Sequence, residues 1–93
     1  MVELLELRSF ETLSEELHYG RAAERLSVTA STLSRRIRAL EDKLGVALFV
    51  RTSRTVSLTD AGRELATRLP GALRQLDGVL LAARNVSDGG WEV

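Results

Sequence analysis

Arginine and hydroxyl side chains, which bind phosphates and base edges, are concentrated in the central part of this 93-residue sequence. A helix over residues 31–44 would have one apolar and one polar face. The apolar face consists of Leu33, Ile37, Leu40 and Leu44. The polar face carries Ser31, Ser34, Arg35 and Arg38. Because arginine can bond to two acceptors of guanine and serine to a base or a phosphate, this pattern predicts a recognition helix for the major groove of DNA. Taken alone, the segment also fits a solvated, arginine-rich helix face.

A second basic element follows this helix. Residues 47–50 and 55–58 are rich in β-branched and aromatic side chains and predict two short antiparallel strands. The tip between them contains Arg51, Thr52, Ser53 and Arg54. An arginine on a hairpin tip has the size to enter the minor groove, where narrow A·T tracts concentrate negative potential. A solubilising turn is the alternative, but two basic elements that follow one another in this way favour DNA.

Two earlier helices must position these groups. Apolar residues spaced three or four apart predict a first amphipathic helix, formed by Leu7, Phe10, Leu13 and Leu17. We expect it to end at residues 18–20, with Gly20 supplying a turn or a C-cap. A short alanine-rich helix over residues 21–26 would follow, and hydroxyl residues at 27–31 would cap the recognition helix. Gly45 would end that helix. The spacing of the two helices is typical of a helix-turn-helix.

A long last helix begins at Thr59 or Asp60, one of which serves as its N-cap. Apolar residues recur along it at spacings of three and four and indicate a dimerisation seam. The predicted seam consists of Leu69, Leu73, Leu76, Val79, Leu80 and Ala83.

The formal net charge is zero, with 13 basic and 13 acidic residues, but it is unevenly distributed. Residues 1–19 contain one basic and five acidic residues, a net charge of −4. Residues 20–58 contain eight basic and three acidic residues, a net charge of +5. We therefore expect the central segment to face DNA and the N-terminal glutamates to point elsewhere.

Enzymatic chemistry has little support. The sequence has no cysteine and a single histidine, His18, which argues against a disulfide framework, a thiolate nucleophile or a His-rich metal centre. Adjacent Glu15 and Glu16 would point about 100° apart on a helix, so a solvated face explains them better than a pair of catalytic carboxylates. We expect no enzyme activity, no cofactor and no metal. Without a signal peptide or an apolar run that could span a bilayer, we expect a cytoplasmic protein and no membrane partner.

Several motifs, in order, resemble the LysR-type transcriptional regulators. They are residues 17–26 (LHYGRAAERL), 33–41 (LSRRIRALE), 44–49 (LGVALF), 51–54 (RTSR) and 58–62 (LTDAG). The similarity extends from about Leu4 to Ala83. It implies a mainly α fold with a small β-hairpin, in which a winged helix-turn-helix is followed by a long dimerisation (linker) helix. Residues 1–59 would form the DNA-binding domain, with the helix-turn-helix at 19–38 and the wing at 47–58, and residues 60–84 the linker helix. Residues 85–93 would be a hinge or the start of an effector-binding domain that is missing, including Trp91.

The resemblance also implies which residues contact DNA. In the recognition helix these are Thr29, Ala30, Ser31, Thr32, Ser34 and Arg35, to which the helical wheel adds Arg38. In the wing the resemblance points to Arg54. One position departs from the family pattern: where many relatives carry a glutamine that can pair with adenine, this chain has Ala30, which can only contact a thymine methyl.

These features predict a bacterial regulator that binds double-stranded DNA as a homodimer at a dyad-symmetric promoter site. A tetramer of the full-length protein is compatible with this, and no small-molecule effector site is expected in this segment. A helical protein-interaction module without specific DNA binding is the main alternative. Single-stranded nucleic acid binding needs exposed stacking aromatics, and Phe10 and Phe49 are expected in the core.

Overall fold

A computed structural model describes residues 1–90 of the chain. Its elements, in order, are α1 (Leu4–Glu16), α2 (Tyr19–Leu26), α3 (Ala30–Leu44), β1 (Phe49–Arg51), β2 (Val56–Leu58) and α4 (Asp60–Gly90). The first three helices pack on one another, β1 and β2 pair as an antiparallel hairpin, and α4 packs against α1 and β2. The predicted mainly α fold with a small hairpin is confirmed. The expectation for Trp91 concerns a residue outside the described range.

The junction between α1 and α2 differs from the prediction. Helix α1 ends at Glu16, and its C-cap residue, Leu17, adopts a left-handed conformation with a φ of 50°. Gly20 lies inside α2, so the prediction that it ends the first helix was wrong. The Nδ1 atom of His18 caps α2 by accepting a hydrogen bond from the backbone N–H of Arg21 at 3.0 Å. A Cβ atom at position 20 would lie 3.0 Å from Cε1 of His18, so glycine leaves room for the capping ring.

The ends of α3 follow the prediction. Thr29 is its N-cap, and the Thr29 hydroxyl accepts a hydrogen bond from the backbone N–H of Thr32 at 3.1 Å. Gly45 ends the helix with a φ of 74°, a conformation that an L side chain rarely adopts. The connection between α2 and α3 is therefore the short turn of a helix-turn-helix.

The core lies where the apolar stripes of the three helices meet the start of the hairpin. Its buried members are Phe10, Leu13, Ala22, Ala23, Leu33, Ile37, Leu40, Leu48, Phe49, Leu69 and Leu73. The rings of Phe10 and Phe49 pack with centroids 5.3 Å apart, which joins α1 to β1. Because Leu33, Ile37 and Leu40 face this core, the opposite side of α3 is left on the surface.

The hairpin is shorter than predicted and is anchored at its base. Strand β1 begins at Phe49. At its start, the backbone N–H groups of Leu48 and Phe49 donate to Oε2 of Glu41, at 2.8 and 3.2 Å. In β2, Leu58 pairs with Phe49 and Val56 with Arg51. The C-terminal part of α3 thus holds the start of the wing.

The start of α4 is anchored to the same region. Thr59 is the N-cap, since its hydroxyl accepts from the N–H of Gly62 at 3.0 Å and donates to the carbonyl of Ala47 at 2.7 Å. A Cβ atom on Gly62 would lie 2.1 Å from the carbonyl oxygen of Leu48. Only glycine therefore permits this close approach of α4 to the base of the wing.

The rest of α4 departs from the prediction in two ways. The helix continues beyond the expected end at Arg84 to Gly90. Leu69 and Leu73 are only 6% and 4% exposed because they pack into the core of their own domain, so they are not available as seam residues on the surface. The exposed apolar stretch begins at Leu76. No helix within residues 1–90 is both long and apolar enough to cross a membrane.

Candidate nucleic-acid interface

The N-terminal half of α3 presents the predicted DNA-contacting residues on the surface of the domain. Thr29, Ala30, Ser31, Arg35 and Arg38 are exposed, and Thr32 and Ser34 are half-buried. The side chains of Leu33 and Ile37, which alternate with them, face the core. The α-helical period therefore separates a packed face from a face that is open to a ligand.

Hydrogen bonds order the start of this face. The Thr29 hydroxyl donates to Oγ1 of Thr32 at 3.0 Å, and Nη2 of Arg35 donates to the same oxygen at 3.1 Å. Arg35 is thus held beside the helix N-terminus, where the positive end of the helix dipole also lies. This arrangement can bind an anionic or electron-rich group with little rearrangement of the protein.

The wing tip is closed by its two threonines. The backbone N–H of Thr52 donates to the carbonyl of Thr55 at 2.9 Å, and the two hydroxyls lie 2.9 Å apart. The N–H groups of Arg54 and Thr55 donate to Oγ1 of Thr52 at 3.2 and 3.0 Å. Ser53 and Arg54 therefore occupy an ordered, exposed turn at the far end of the hairpin.

Arg51 lies at the end of β1, not in this turn, and contacts the helix-turn-helix. Its Nη2 atom donates to Oγ of Ser34 at 3.3 Å. Its guanidinium carbon lies 4.6 Å from the ring centre of Tyr19, within the range of a cation–π interaction. These contacts place the wing and the exposed face of α3 on the same side of the molecule.

Tyr19 is the residue of this surface that sequence reasoning did not select. It opens α2 and packs partly against the core, and burial raises the pKa of its hydroxyl above the ordinary value of 10.0. Its role depends on a residue 32 positions later in the chain, Arg51, so neither periodicity nor a local motif could identify it.

The arginines on the other side of the helix-turn-helix are neutralised. Nη1 of Arg25 donates to Glu15 and Glu16 at 2.9 and 3.0 Å, and these hydrogen bonds, first that of Glu15, raise the pKa of Arg25. Arg21 also lies 3.6 Å from Glu16. The two glutamates therefore share one guanidinium at the surface, where their side chains are 53% and 26% exposed. Although Glu15 and Glu16 leave the helix in different directions, their side chains are long enough for both carboxylates to reach the guanidinium of Arg25.

The arginines of the recognition side have no such partners. Among residues 1–86, whose side chains the structure describes, no carboxylate oxygen lies within 4.0 Å of the basic groups on this side. These groups belong to Arg35, Arg38, Arg51 and Arg54, whereas Arg36 is half-buried and lines a surface cleft with Glu3 and Glu6. The balanced total charge is thus arranged so that one face keeps an uncompensated positive charge.

The remaining basic residue of the central segment, Lys43, has a structural partner. Its Nζ atom lies 2.7 Å from Oε2 of Glu6, whose side chain is buried. The hydrogen bond from Lys43 is the main cause that lowers the pKa of Glu6 from 4.5. The part of the chain that the structure describes contains no cluster of three or more side chains able to hold a metal ion.

Known proteins share both this sequence and this arrangement. The family model described as "Bacterial regulatory helix-turn-helix protein, lysR family" matches residues 4–63. The transcriptional regulator IlvR of Caulobacter vibrioides is 43% identical over 88 residues, which cover 95% of this chain and 30% of IlvR. The chain thus spans less than a third of the length of that relative.

Solved structures agree with the sequence matches. Full-length OxyR from Pseudomonas aeruginosa superposes with a TM-score of 0.85 and 40% identity, over 91% of this chain and 29% of OxyR. The DNA-binding domain of BenM, in complex with catB site 1 DNA, superposes with a TM-score of 0.85 and 32% identity, over 91% of this chain and 94% of that domain. The relatives are transcriptional regulators and not enzymes. The chain belongs to the LysR family of bacterial regulatory helix-turn-helix proteins.

Proposed function

We propose that this chain binds double-stranded DNA sequence-specifically, as a homodimer, and thereby regulates transcription from a dyad-symmetric promoter site. The observation that carries the proposal is the hydrogen bond between Arg51 and Ser34, because it aligns the wing with the exposed face of α3. Both basic elements can then meet one stretch of duplex. The similar domain of BenM was solved in complex with DNA, which supports the same assignment for this fold.

In this proposal α3 enters the major groove with its N-terminal half. Arg35 donates to the O6 and N7 atoms of a guanine, and Ala30 packs on a thymine methyl. The hydroxyls of Ser31 and Thr32 and the guanidinium of Arg38 supply further base or phosphate contacts. The Thr29 cap leaves the N-terminus of α3 exposed, where a backbone phosphate is favoured.

The wing supplies the second contact. Its exposed turn, formed by Thr52, Ser53 and Arg54, carries the arginine that is best placed to reach an adjacent minor groove. A narrow, A·T-rich groove would attract this guanidinium most strongly. The threonine and serine hydroxyls lie beside it as donors to phosphate oxygens.

The exposed part of α4 supports dimerisation. Leu76, Val79 and Leu80 are 38%, 62% and 55% exposed, and Ala83 is also on the surface. A second copy of the chain would cover these side chains and place two recognition helices about 34 Å apart, one turn of DNA. We assign the protein to the bacterial cytoplasm, where its DNA target is found.

The proposal is tested with duplexes selected by the protein from a random pool. The affinity for a recovered duplex should fall steeply between about 50 and 200 mM salt, with a slope of about 0.9 per phosphate contacted. A scrambled duplex of equal length is the control and should bind much more weakly. A weak, flat salt response, equal for both duplexes, would contradict sequence-specific DNA binding.

The dimer is tested by Leu76→Glu. A carboxylate at this position should dissociate the dimer, because burying an unpaired charge at an interface is strongly unfavourable. Light scattering should report a mass near 10.2 kDa instead of twice that value. Glu64→Gln, an exposed change in the first half of α4, is the matched control and should leave the mass unchanged.

The exposed apolar side chains of α4 also suit a helical protein-interaction module that does not bind DNA. The same experiments distinguish the two functions, since a module of this kind would dimerise but show no preference for the selected duplex.

A further inference from the structure

We propose that Arg51 is a positioning residue that clamps the wing to the helix-turn-helix and orients the Ser34 hydroxyl as a hydrogen-bond donor to DNA. The proposal rests on the DNA-binding function above, and it differs from the sequence-based expectation that Arg51 itself contacts DNA.

The guanidinium of Arg51 is engaged by the protein on two sides. One face lies over the ring of Tyr19, 4.6 Å from its centre, and Nη2 donates to Ser34 at 3.3 Å. Arg54, by contrast, lies in the turn at the tip of the hairpin, where its backbone N–H bonds to Thr52. The two wing arginines therefore have different tasks: Arg54 extends outward, whereas Arg51 joins three segments of the domain.

The hydrogen bond from Arg51 determines what Ser34 can offer to a ligand. Several hydroxyls inside the other helices donate to their own backbone: Ser9 donates to the carbonyl of Leu5 at 2.7 Å, and Thr67 to that of Arg63 at 2.9 Å. Among the described residues, Ser34 accepts from Arg51 and donates to no protein group. Its proton is thus available for a phosphate oxygen or for the acceptors of guanine or thymine.

Tyr19 gives the clamp a fixed base. It is the first residue of α2, directly after the His18 cap, and it packs against the core. A ring held in this way orders the flat guanidinium above it more effectively than a flexible surface contact would. Movement of the wing relative to α3 is restricted as a result.

The test compares wild type, Arg51→Ala, Ser34→Ala and the double variant on the selected duplex. Each single change should weaken binding about tenfold, the size of one lost hydrogen bond to the duplex. The double variant should lose little more, because both changes remove the same interaction. The salt dependence of the affinity should be the same in Arg51→Ala as in wild type, whereas Arg54→Ala should reduce it. The loss of affinity caused by Arg54→Ala should also add to the loss caused by Ser34→Ala.

Conservative variants separate the clamp from a simple effect of charge. Arg51→Lys keeps the charge but loses the planar guanidinium, so it should recover little of the affinity. Tyr19→Phe keeps the aromatic ring and should bind DNA like wild type. Tyr19→Leu removes the ring and should bind DNA as weakly as Arg51→Ala. Full recovery by Arg51→Lys, a reduced salt slope in Arg51→Ala, or additive losses with Ser34→Ala would each overturn the proposal. Circular dichroism verifies that each variant is folded.

A measurement without DNA distinguishes failure of the clamp from failure of the proposed function. In the unbound protein, the NMR signals of the Arg51 side chain should be shifted upfield by the Tyr19 ring, and the shift should disappear in Tyr19→Leu. If wild type binds no duplex but shows this shift, the proposed function fails while the clamp remains as a structural feature without a DNA role. An unshifted Arg51 side chain in wild type would overturn the clamp itself.

Discussion

The two halves of α4 share one helix and one apolar pattern but have different surroundings. In the first half, Leu69 and Leu73 are buried in the core of the domain, and Leu65 packs against it. From Leu76 onward the apolar side chains are on the surface, with Val86 76% exposed. A stripe of leucines that looks continuous in sequence therefore serves the fold in its first half and is open to a partner in its second.

The boundary between these halves has a physical cause. The first turn of α4 is held against the base of the wing by the Thr59 cap and by the close approach of Gly62 to Leu48. From that anchor the helix runs along α1 and then extends beyond it. The salt bridge between Arg8 and Asp77, 2.9 Å long, joins α1 to α4 near the end of this path. An apolar residue further along the helix has no surface of its own domain to cover it.

The two halves of α4 should differ most in how much stability the domain loses when a leucine is replaced by alanine. Leu73→Ala should lower the free energy of unfolding by about 2–5 kcal/mol, because it leaves a cavity in the core. Leu80→Ala, its exposed counterpart, should leave the unfolding of the monomer nearly unchanged and weaken only the dimer. Urea unfolding at several protein concentrations separates the two effects. Equal losses at all concentrations would mean that both halves belong to one core.

Glycines give a second matched pair. Gly62→Ala should destabilise the domain by about 1–3 kcal/mol, because the new Cβ must displace the backbone of Leu48. Gly78→Ala meets no atom within 4 Å and should stabilise the helix by about 0.5–1 kcal/mol. Thermal unfolding of both variants measures these changes. A destabilising Gly78→Ala would instead show that a partner helix packs closely at this position in the dimer.

The smallest effect concerns the salt bridge at the boundary. Arg8→Ala should cost about 0–1 kcal/mol of stability, since the side chains of Arg8 and Asp77 are 36% and 56% exposed and solvent screens the pair. High salt should abolish the difference between this variant and wild type. A loss of several kcal/mol that persists in high salt would indicate that Arg8 contributes through packing, and that α4 is held further along its length than Leu73.

Local chemistry explains which parts of the fold could be predicted from sequence. The capping contacts of Thr29, Gly45 and Thr59 lie within a few residues of their own positions, so the helix ends that they define follow from residue type. Gly20 was misinterpreted because glycine fits both a C-cap and a site of close approach. The ring of His18, which caps α2, decided between the two.

The candidate site also has features that could be predicted from sequence and features that could not. Periodicity alone determined which face of α3 is exposed, because a helix of fixed pitch must turn Leu33 and Ile37 away from Ser34 and Arg35. The pairing of Arg25 with Glu15 and Glu16 could not be predicted, nor could the clamp of Arg51 on Tyr19 and Ser34. Each of these contacts joins different elements of the fold and exists only after they have packed.

The sequence by itself therefore determined the elements, their apolar faces and the concentration of basic residues, since these properties depend on residue type and short spacings. Tertiary structure decided which arginines are neutralised and which leucines are covered. Those outcomes depend on the path of the chain through space: a side chain's periodicity defines the direction in which it points, but not the atoms that it meets there.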